Sequence, residues 1–274
     1  MPGSTTVANA ISGGRRAARS IHSMALASAA LAISCSGLPA AAAEPWVVTF
    51  TPYVWLQGTT GDLKVRGVET HIDDSFLDVV QATDTVIGGF AHVVARQGPW
   101  GFYLEGNYSY MSSSGETGFG ASTKVRSSMT IAEAGGLYRL VEGRGGAEDV
   151  LQSWRIEGVA GLRYVSFTAK LDVGPFSAER TNDWVSPLIG INSVFDLGRN
   201  WTAVLHADIG GFGAGSDLMS NLYGLVGYRT TLLGATVLST IGYRGLYIDR
   251  SDASRNSSMN IWVHGPVLGL TFKL

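Results

Sequence analysis

The segment His206-Ala207-Asp208 sets an imidazole and a carboxylate two residues apart. On a β-strand that spacing puts both on one face and within mutual reach, an arrangement suited to general-base work. Alternation along the chain assigns ten titratable side chains to a common inner face: Glu105, Glu133, Arg139, Arg155, Glu157, Arg163, His206, Asp208, Arg229 and Arg244. Opposed charges confined together would pair, each offsetting the other's desolvation. Lining an open passage, the same charges would set its ion selectivity instead. The other histidines beyond residue 43 are His71, His92 and His264, and that stretch holds no cysteine. Scattered imidazoles without thiols make no metal-ligand set. Neither a metal nor any other cofactor is expected.

These side chains need a frame to hold them, and composition narrows it. Charged residues are 15% of the 274, against roughly 25% in a typical soluble domain. Glycine fills 36 positions, aromatics reach 10%, and mean hydropathy is +0.15. Yet beyond the leader no apolar run approaches the ~18 residues of a membrane helix. A helical membrane protein, a coiled coil and a disordered chain are disfavoured. The formal charge of −2 gives no electrostatic attraction to nucleic acid. A chain too apolar and glycine-rich for an ordinary surface, without spanning helices, points to an all-β fold. The expectation is a transmembrane antiparallel up-and-down β-barrel of about ten strands, with eight or twelve as alternatives.

Residues 1–43 read as an export signal. Arg15, Arg16 and Arg19 form the positive start, Met24 to Cys35 an apolar segment, and Ala41-Ala42-Ala43 a cleavage site before Glu44. Cys35 is the only cysteine, and Ala32-Ile33-Ser34 before it lacks the leucine that opens a lipidation motif. Residues 44–274 then form a single barrel domain. An acidic, thiol-free exported chain fits the outer membrane of a Gram-negative cell.

Period-two alternation carries the barrel reading. Trp100, Phe102, Leu104, Gly106, Tyr108 and Tyr110 share one face, while Tyr103, Glu105, Asn107 and Ser109 share the other. Residues 154–164 and 201–209 repeat the pattern. Ten strands are expected at about 46–56, 85–96, 100–112, 123–140, 153–169, 184–197, 201–212, 219–231, 235–249 and 259–273. Short connections alternate with long ones at 57–84, 113–122, 170–183, 213–218 and 250–258, which puts both termini at the periplasmic rim. Trp46, Trp100, Trp154 and Trp201 open strands at that rim, and Trp184 and Trp262 open strands after long loops. Together they read as aromatics of the two membrane interfaces. Within the first long loop, Gly61–His71 could extend the wall as a hairpin, giving twelve strands if it found another partner. Residues 73–80 have the spacing of a short helix at the barrel mouth.

Several resemblances bear on function. Thr51-Pro52-Tyr53-Val54-Trp55 with Gly58 and Gly61, then Ser75-Phe76-Leu77-Asp78-Val79-Val80, then Trp100-Gly101-Phe102-Tyr103-Leu104-Glu105 resembles a group of uncharacterised proteobacterial outer-membrane β-barrel proteins, small and porin-like. The resemblance implies location and fold and carries over no catalytic residue. The last strand, with Trp262, Pro266, Leu268, Leu270 and Phe272 on one face, resembles the C-terminal signal read by the barrel assembly machinery, although the chain ends Phe272-Lys273-Leu274. The His206/Asp208 pair resembles half of the site of the ten-stranded omptin proteases. The other half is an Asp-x-Asp pair, and none occurs here. Nor does any of the four histidines precede a serine by two residues, the spacing of lipid-acting barrel hydrolases. A non-enzymatic barrel is therefore expected, either a narrow porin-like channel or a closed structural barrel displaying loops. A barrel protease or lipid hydrolase using His206 and Asp208 is the alternative. The expected surroundings are outer-membrane lipid and lipopolysaccharide, with no nucleic acid, and the sequence sets no oligomeric state.

Overall fold

A computed structural model of the protein describes residues 44–65, 68–74, 77, 85–116, 122–146, 150–232, 234–253 and 256–274. The export signal expected over 1–43 lies outside these residues, as does most of the helix expected over 73–80. Among the described residues no helix is long and apolar enough to cross a membrane.

The strands in chain order are β1 (Val47–Trp55), β2 (Gly58–Val65), β3 (Val68–Asp74), β4 (Thr85–Gln97), β5 (Trp100–Glu116), β6 (Ser122–Arg144), β7 (Ser153–Val173), β8 (Phe176–Gly198), β9 (Trp201–Gly211), β10 (Leu218–Leu232), β11 (Ala235–Asp252) and β12 (Ser257–Lys273). β1 pairs with β4, and β4 to β12 then follow in sequence. β12 returns to β1 through the antiparallel register Phe50↔Phe272 and Trp55↔Val267. Ten strands thus close an antiparallel barrel, as expected. Closure leaves no unpaired edge around the middle of the wall, which is what backbone in a lipid environment requires. The remaining two strands form the hairpin expected near Gly61–His71. β2 pairs with β12 through Gly61↔Ile261, and β3 pairs with β2, so the hairpin raises the wall without joining the closed set.

Alternation decides what each strand buries. On β5, Phe102 and Leu104 are exposed outside while Tyr103, Asn107 and Ser109 are buried inside. Because the closed strand number is even, both chain ends meet at one rim, called here the terminal rim. There Gln97 donates to the Glu44 carbonyl and Leu274 N to the Val48 carbonyl, each at 2.9 Å.

At the opposite, far rim the connections differ from expectation. The loop expected at 170–183 is a hairpin, with β7 and β8 running on to Val173 and Phe176 around Gly174, whose φ is +53°. The polar residues that suggested a loop instead continue the ladder as cross-strand pairs. Thr168 and Thr181 are hydrogen-bonded at 2.9 Å, Lys170 and Glu179 lie 3.4 Å apart, and Arg126 pairs with Asp172. β5 likewise runs to Glu116, so part of the expected 113–122 loop is strand. Asp73 and Asp74, expected to open a helix, close β3.

At Leu56 the chain leaves the closed wall. Its N–H still donates to Pro266 at 2.9 Å. Gly265 opposite has φ +157°, and a Cβ there would collide with the Leu56 carbonyl. The bend depends on the missing side chain.

Inside, side chains stack in layers from the far rim to the terminal rim. An apolar cluster including Ile131, Val165, Met219, Leu246 and Val263 comes first. A charged layer follows, and then a second apolar cluster of Val94, Tyr103, Leu137, Val159 and Leu188. β6 shows the order along one strand as Ile131, Glu133, Leu137, and β7 shows it as Val165, Arg163, Val159.

Candidate functional site

Two inward arginines, one from β7 and one from β11, organise the charged layer. The Arg163 side chain is 1% exposed. Its Nε donates to Glu133 of β6 at 2.7 Å, and its Nη2 donates to both oxygens of Asp208 of β9 at 2.9 Å. Arg244 donates from Nε to Asn221 of β10 at 2.9 Å, pairs with Glu105 of β5, and lies 3.5 Å from Glu133. Asn221 in turn donates to Asp208 at 2.8 Å, so both arginines and all three carboxylates belong to one network. Aromatic rings complete the layer. The Arg244 guanidinium sits 4.8 Å from the Trp55 ring centre, a desolvated cation–π contact. Tyr53 donates to Glu105 at 2.8 Å and accepts from Arg244 at 3.0 Å.

His206 Nε2 lies 2.9 Å from Asp208 Oδ2, and its ring stacks on Tyr223 with centroids 4.7 Å apart. The general-base pair foreseen in the sequence therefore exists as geometry. However, the Asp208 side chain is 0% exposed, and both its oxygens already accept from Arg163. A carboxylate so enclosed serves to orient its neighbours.

Of the ten charges expected inside, Glu105, Glu133, Arg163, His206, Asp208 and Arg244 are brought together here. Glu157 and Arg155 lie nearer the terminal rim in a second group. There Arg96 holds Glu157 through two hydrogen bonds of 2.8 and 3.0 Å, Asn192 donates to it at 2.8 Å, and Arg155 Nε lies 3.5 Å away. Arg139 and Arg229 stay at the terminal rim, each on a local acid: Glu142 at 2.6 Å and Asp196 at 3.7 Å. A register shift between Arg139 and Val141 explains the first pair, since the extra residue turns Arg139 and Glu142 to the same face. Sequence reasoning missed Arg96, Tyr53, Asn192 and Asn221, and it placed Asn107 on the inner face without giving it the hydrogen bond to Glu105 that it makes at 2.9 Å. The alternation of β4 through His92 and Val94 marks Arg96 as inward, whereas nothing in the sequence marks the asparagines as partners.

The expected interface aromatics divide. Trp46, Trp100, Trp201 and Trp262 are exposed on the outer wall, each against a second aromatic ring: Phe102, Tyr138, Tyr228 and Tyr247. Trp154 is half-buried at the terminal rim, where a Cβ on Gly143 would meet its ring. Trp184 is a correction. It does not open a strand but lies within β8, in phase with Ser186 and Leu188, and is 6% exposed inside the barrel under the Arg250 guanidinium. His264 stands on the outer wall with Nδ1 2.6 Å from the Tyr243 hydroxyl. Among the described residues no group of three or more His, Cys, Asp or Glu side chains is placed to hold a metal.

Two large spaces stand out in the packing, with smaller ones beside and between them. The terminal rim opens into a polar vestibule of about 740 Å³, lined by Arg96, Arg155 and Arg229 among others. The far rim holds a chamber of about 490 Å³, with a side cavity of about 50 Å³ beside it. Within the charged layer the cavities shrink to about 30 Å³ beside Tyr103, His92 and Glu133, and about 60 Å³ beside Tyr53 and Arg244. Spaces of that size hold a few water molecules at most.

No protein-family model matches this chain, and no curated protein does. Among solved structures it is similar to Ail, the attachment invasion locus protein of Yersinia pestis, at 12% identity and a TM-score of 0.35, covering 84% of this chain and 99% of that one. It is also similar to Neisserial surface protein A, NspA, at 12% identity and a TM-score of 0.28, covering 85% and 99%. Likeness at this level assigns no activity, partner or residue here.

Proposed function

We propose that this chain is an outer-membrane barrel whose lumen is closed at the charged layer. It serves as a non-enzymatic envelope protein displaying its far-rim strands and loops, not as an open channel or a hydrolase. The observation that carries the reading is the burial of Arg163 and Arg244, whose pairs with Glu105, Glu133 and Asp208 tie β5, β6, β7, β9 and β11 together across the lumen.

The outer wall supports the membrane setting. Trp100 and Tyr110 are outward residues of β5 and lie ten positions apart. At ~3.3 Å per residue and a tilt of about 40° they span roughly 25 Å of height, the apolar band of an outer-membrane barrel. Leu104, Leu162, Leu222 and Ile241 fill the band, each more than half exposed. A soluble barrel would leave that surface in water at a large hydrophobic cost. Lipid and lipopolysaccharide are then its surroundings, and the assembly machinery would read β12, with Trp262, Leu268 and Leu270 facing outward.

Two measurements test the reading. A cysteine at Ala178, in the far-rim hairpin, should react with an impermeant maleimide on intact cells, whereas one at Gly98 should react only after the outer membrane is broken. Proteoliposomes of folded 44–274 should not swell in isotonic arabinose. Reversed labelling overturns the orientation, and swelling overturns the closure.

A further inference from the structure

The far-rim chamber of about 490 Å³ is unlike the rest of the interior. Leu63, Met111, Met129, Phe167, Met259 and Ile261 form much of its wall, and the buried apolar cluster with Ile131 and Val263 forms its floor. Its volume falls within the range of small-molecule sites. Three methionines in the wall suit a flexible apolar guest, because the unbranched thioether repacks at low cost. No lysine or arginine lines it among the described residues.

The side cavity shares Leu63 and Met259 with the chamber but has the opposite character. Lys64, Arg180 and Arg250 line it against one acid, Asp252. The Arg250 guanidinium is fixed 4.4 Å from the Trp184 ring centre, and its Nη1 is buried with no hydrogen-bond partner. A held guanidinium with an unused, buried donor is a place for an anionic acceptor. The apolar chamber and the cationic cavity therefore offer, side by side, what a hydrocarbon chain and a compact anion each require.

Among the described residues the backbone pairing nearby is incomplete. Pairing of β1 with β4 ends at Tyr53↔Phe90, and β3 pairs only with β2 among the described residues. β3 borders the chamber, whose lining includes Ile72 of β3 and Met111 of β5.

We propose that chamber and side cavity form one binding site for a single-chain amphiphile with an anionic head. The hydrocarbon lies among Met111, Met129, Phe167 and Met259, and the head lies against Arg250 and Arg180. A carboxylate and a phosphate monoester share this chemistry, and experiment separates them.

The test uses the folded 44–274 barrel in zwitterionic lipid nanodiscs, with ¹³C-labelled methionine methyls as reporters. Dodecanoate and dodecyl phosphate are titrated in separate arms, with dodecyl maltoside and dodecyltrimethylammonium as neutral and cationic controls. The site predicts saturable shifts of the Met111, Met129 and Met259 methyls with at least one anionic probe, and at least tenfold weaker binding of both controls. The stronger anionic arm identifies the head as carboxylate or phosphate. The double variant Arg180→Gln/Arg250→Gln should weaken the anionic probe tenfold or more. Ser127→Phe, which fills the chamber, should abolish the shifts while the barrel keeps its heat-modifiable gel mobility. Val125→Trp fills the same space should Ser127→Phe fail to fold. Absent shifts with every probe, equal binding of anionic and control amphiphiles, or unchanged binding in the filled variant would each overturn the proposal. The readout is independent of whether the barrel conducts.

Discussion

Replacing Arg163 with alanine tests the charged layer where it is most enclosed. The substitution removes the guanidinium joining Glu133 to Asp208, whose side chains are 4% and 0% exposed. Two buried carboxylates would then remain without it, Glu133 with Arg244 at 3.5 Å and Asp208 with Asn221 and His206. Removing one partner of a buried ion pair costs about 3–5 kcal/mol, because the other charge keeps its desolvation and loses its compensation. Exposed pairs such as Lys64–Glu69 are worth about 0–1 kcal/mol. A loss of about 4 kcal/mol shifts the unfolding equilibrium nearly a thousandfold. With a urea slope of about 3 kcal/mol/M, the midpoint falls by a little over 1 M. The assay is urea unfolding in lipid vesicles, read by tryptophan fluorescence and by heat-modifiable mobility. The triple variant Glu133→Gln/Arg163→Met/Asp208→Asn should recover much of the loss, since it removes the charges together. A cost below 1 kcal/mol for Arg163→Ala, at unchanged slope, would mean that water reaches the carboxylates. The closed layer would then be wrong.

Three further predictions address other parts of the molecule. Leu104→Arg places a charge in the middle of the outer band and should cost about 2–4 kcal/mol in vesicles, measured by the same titration; a neutral effect would contradict the lipid contact. His71 of the far-rim hairpin is raised above its ordinary value of 6.5 by its hydrogen bond to Asp62. The stabilisation it gives the hairpin is therefore full below pH 6.5 and is lost as pH rises through the raised midpoint. An NMR titration should show that midpoint and its return toward 6.5 in Asp62→Asn, whereas an unchanged midpoint would refute the pairing. Gly265→Ala should cost about 1–3 kcal/mol by straining the bend at Leu56, with amide exchange of β2 accelerated; slow exchange in the variant would count against it.

The barrel was legible because lipid outside and polar groups inside impose one alternation on every strand, as Phe102 and Leu104 against Tyr103 and Asn107 show. Even closure at ten strands followed from counting. The contents of the lumen were legible only strand by strand. Arg244, Glu105 and Tyr53 meet across β11, β5 and β1, and that meeting depends on how the closed sheet staggers, which no local pattern records. Trp184 was misplaced because an indole suits a membrane interface and an apolar interior equally well. Only its phase with Ser186 and Leu188 separates the two. The 170–183 hairpin was hidden because, past the apolar band, ion pairs such as Lys170–Glu179 hold strands together and resemble loop composition.

Planar-bilayer recording of the folded 44–274 barrel tests the central claim most directly. The charged layer predicts a silent membrane after verified insertion, with no discrete steps at any holding potential that the bilayer tolerates. Reproducible unitary steps from the unaltered protein would contradict it and make the lumen an open pore.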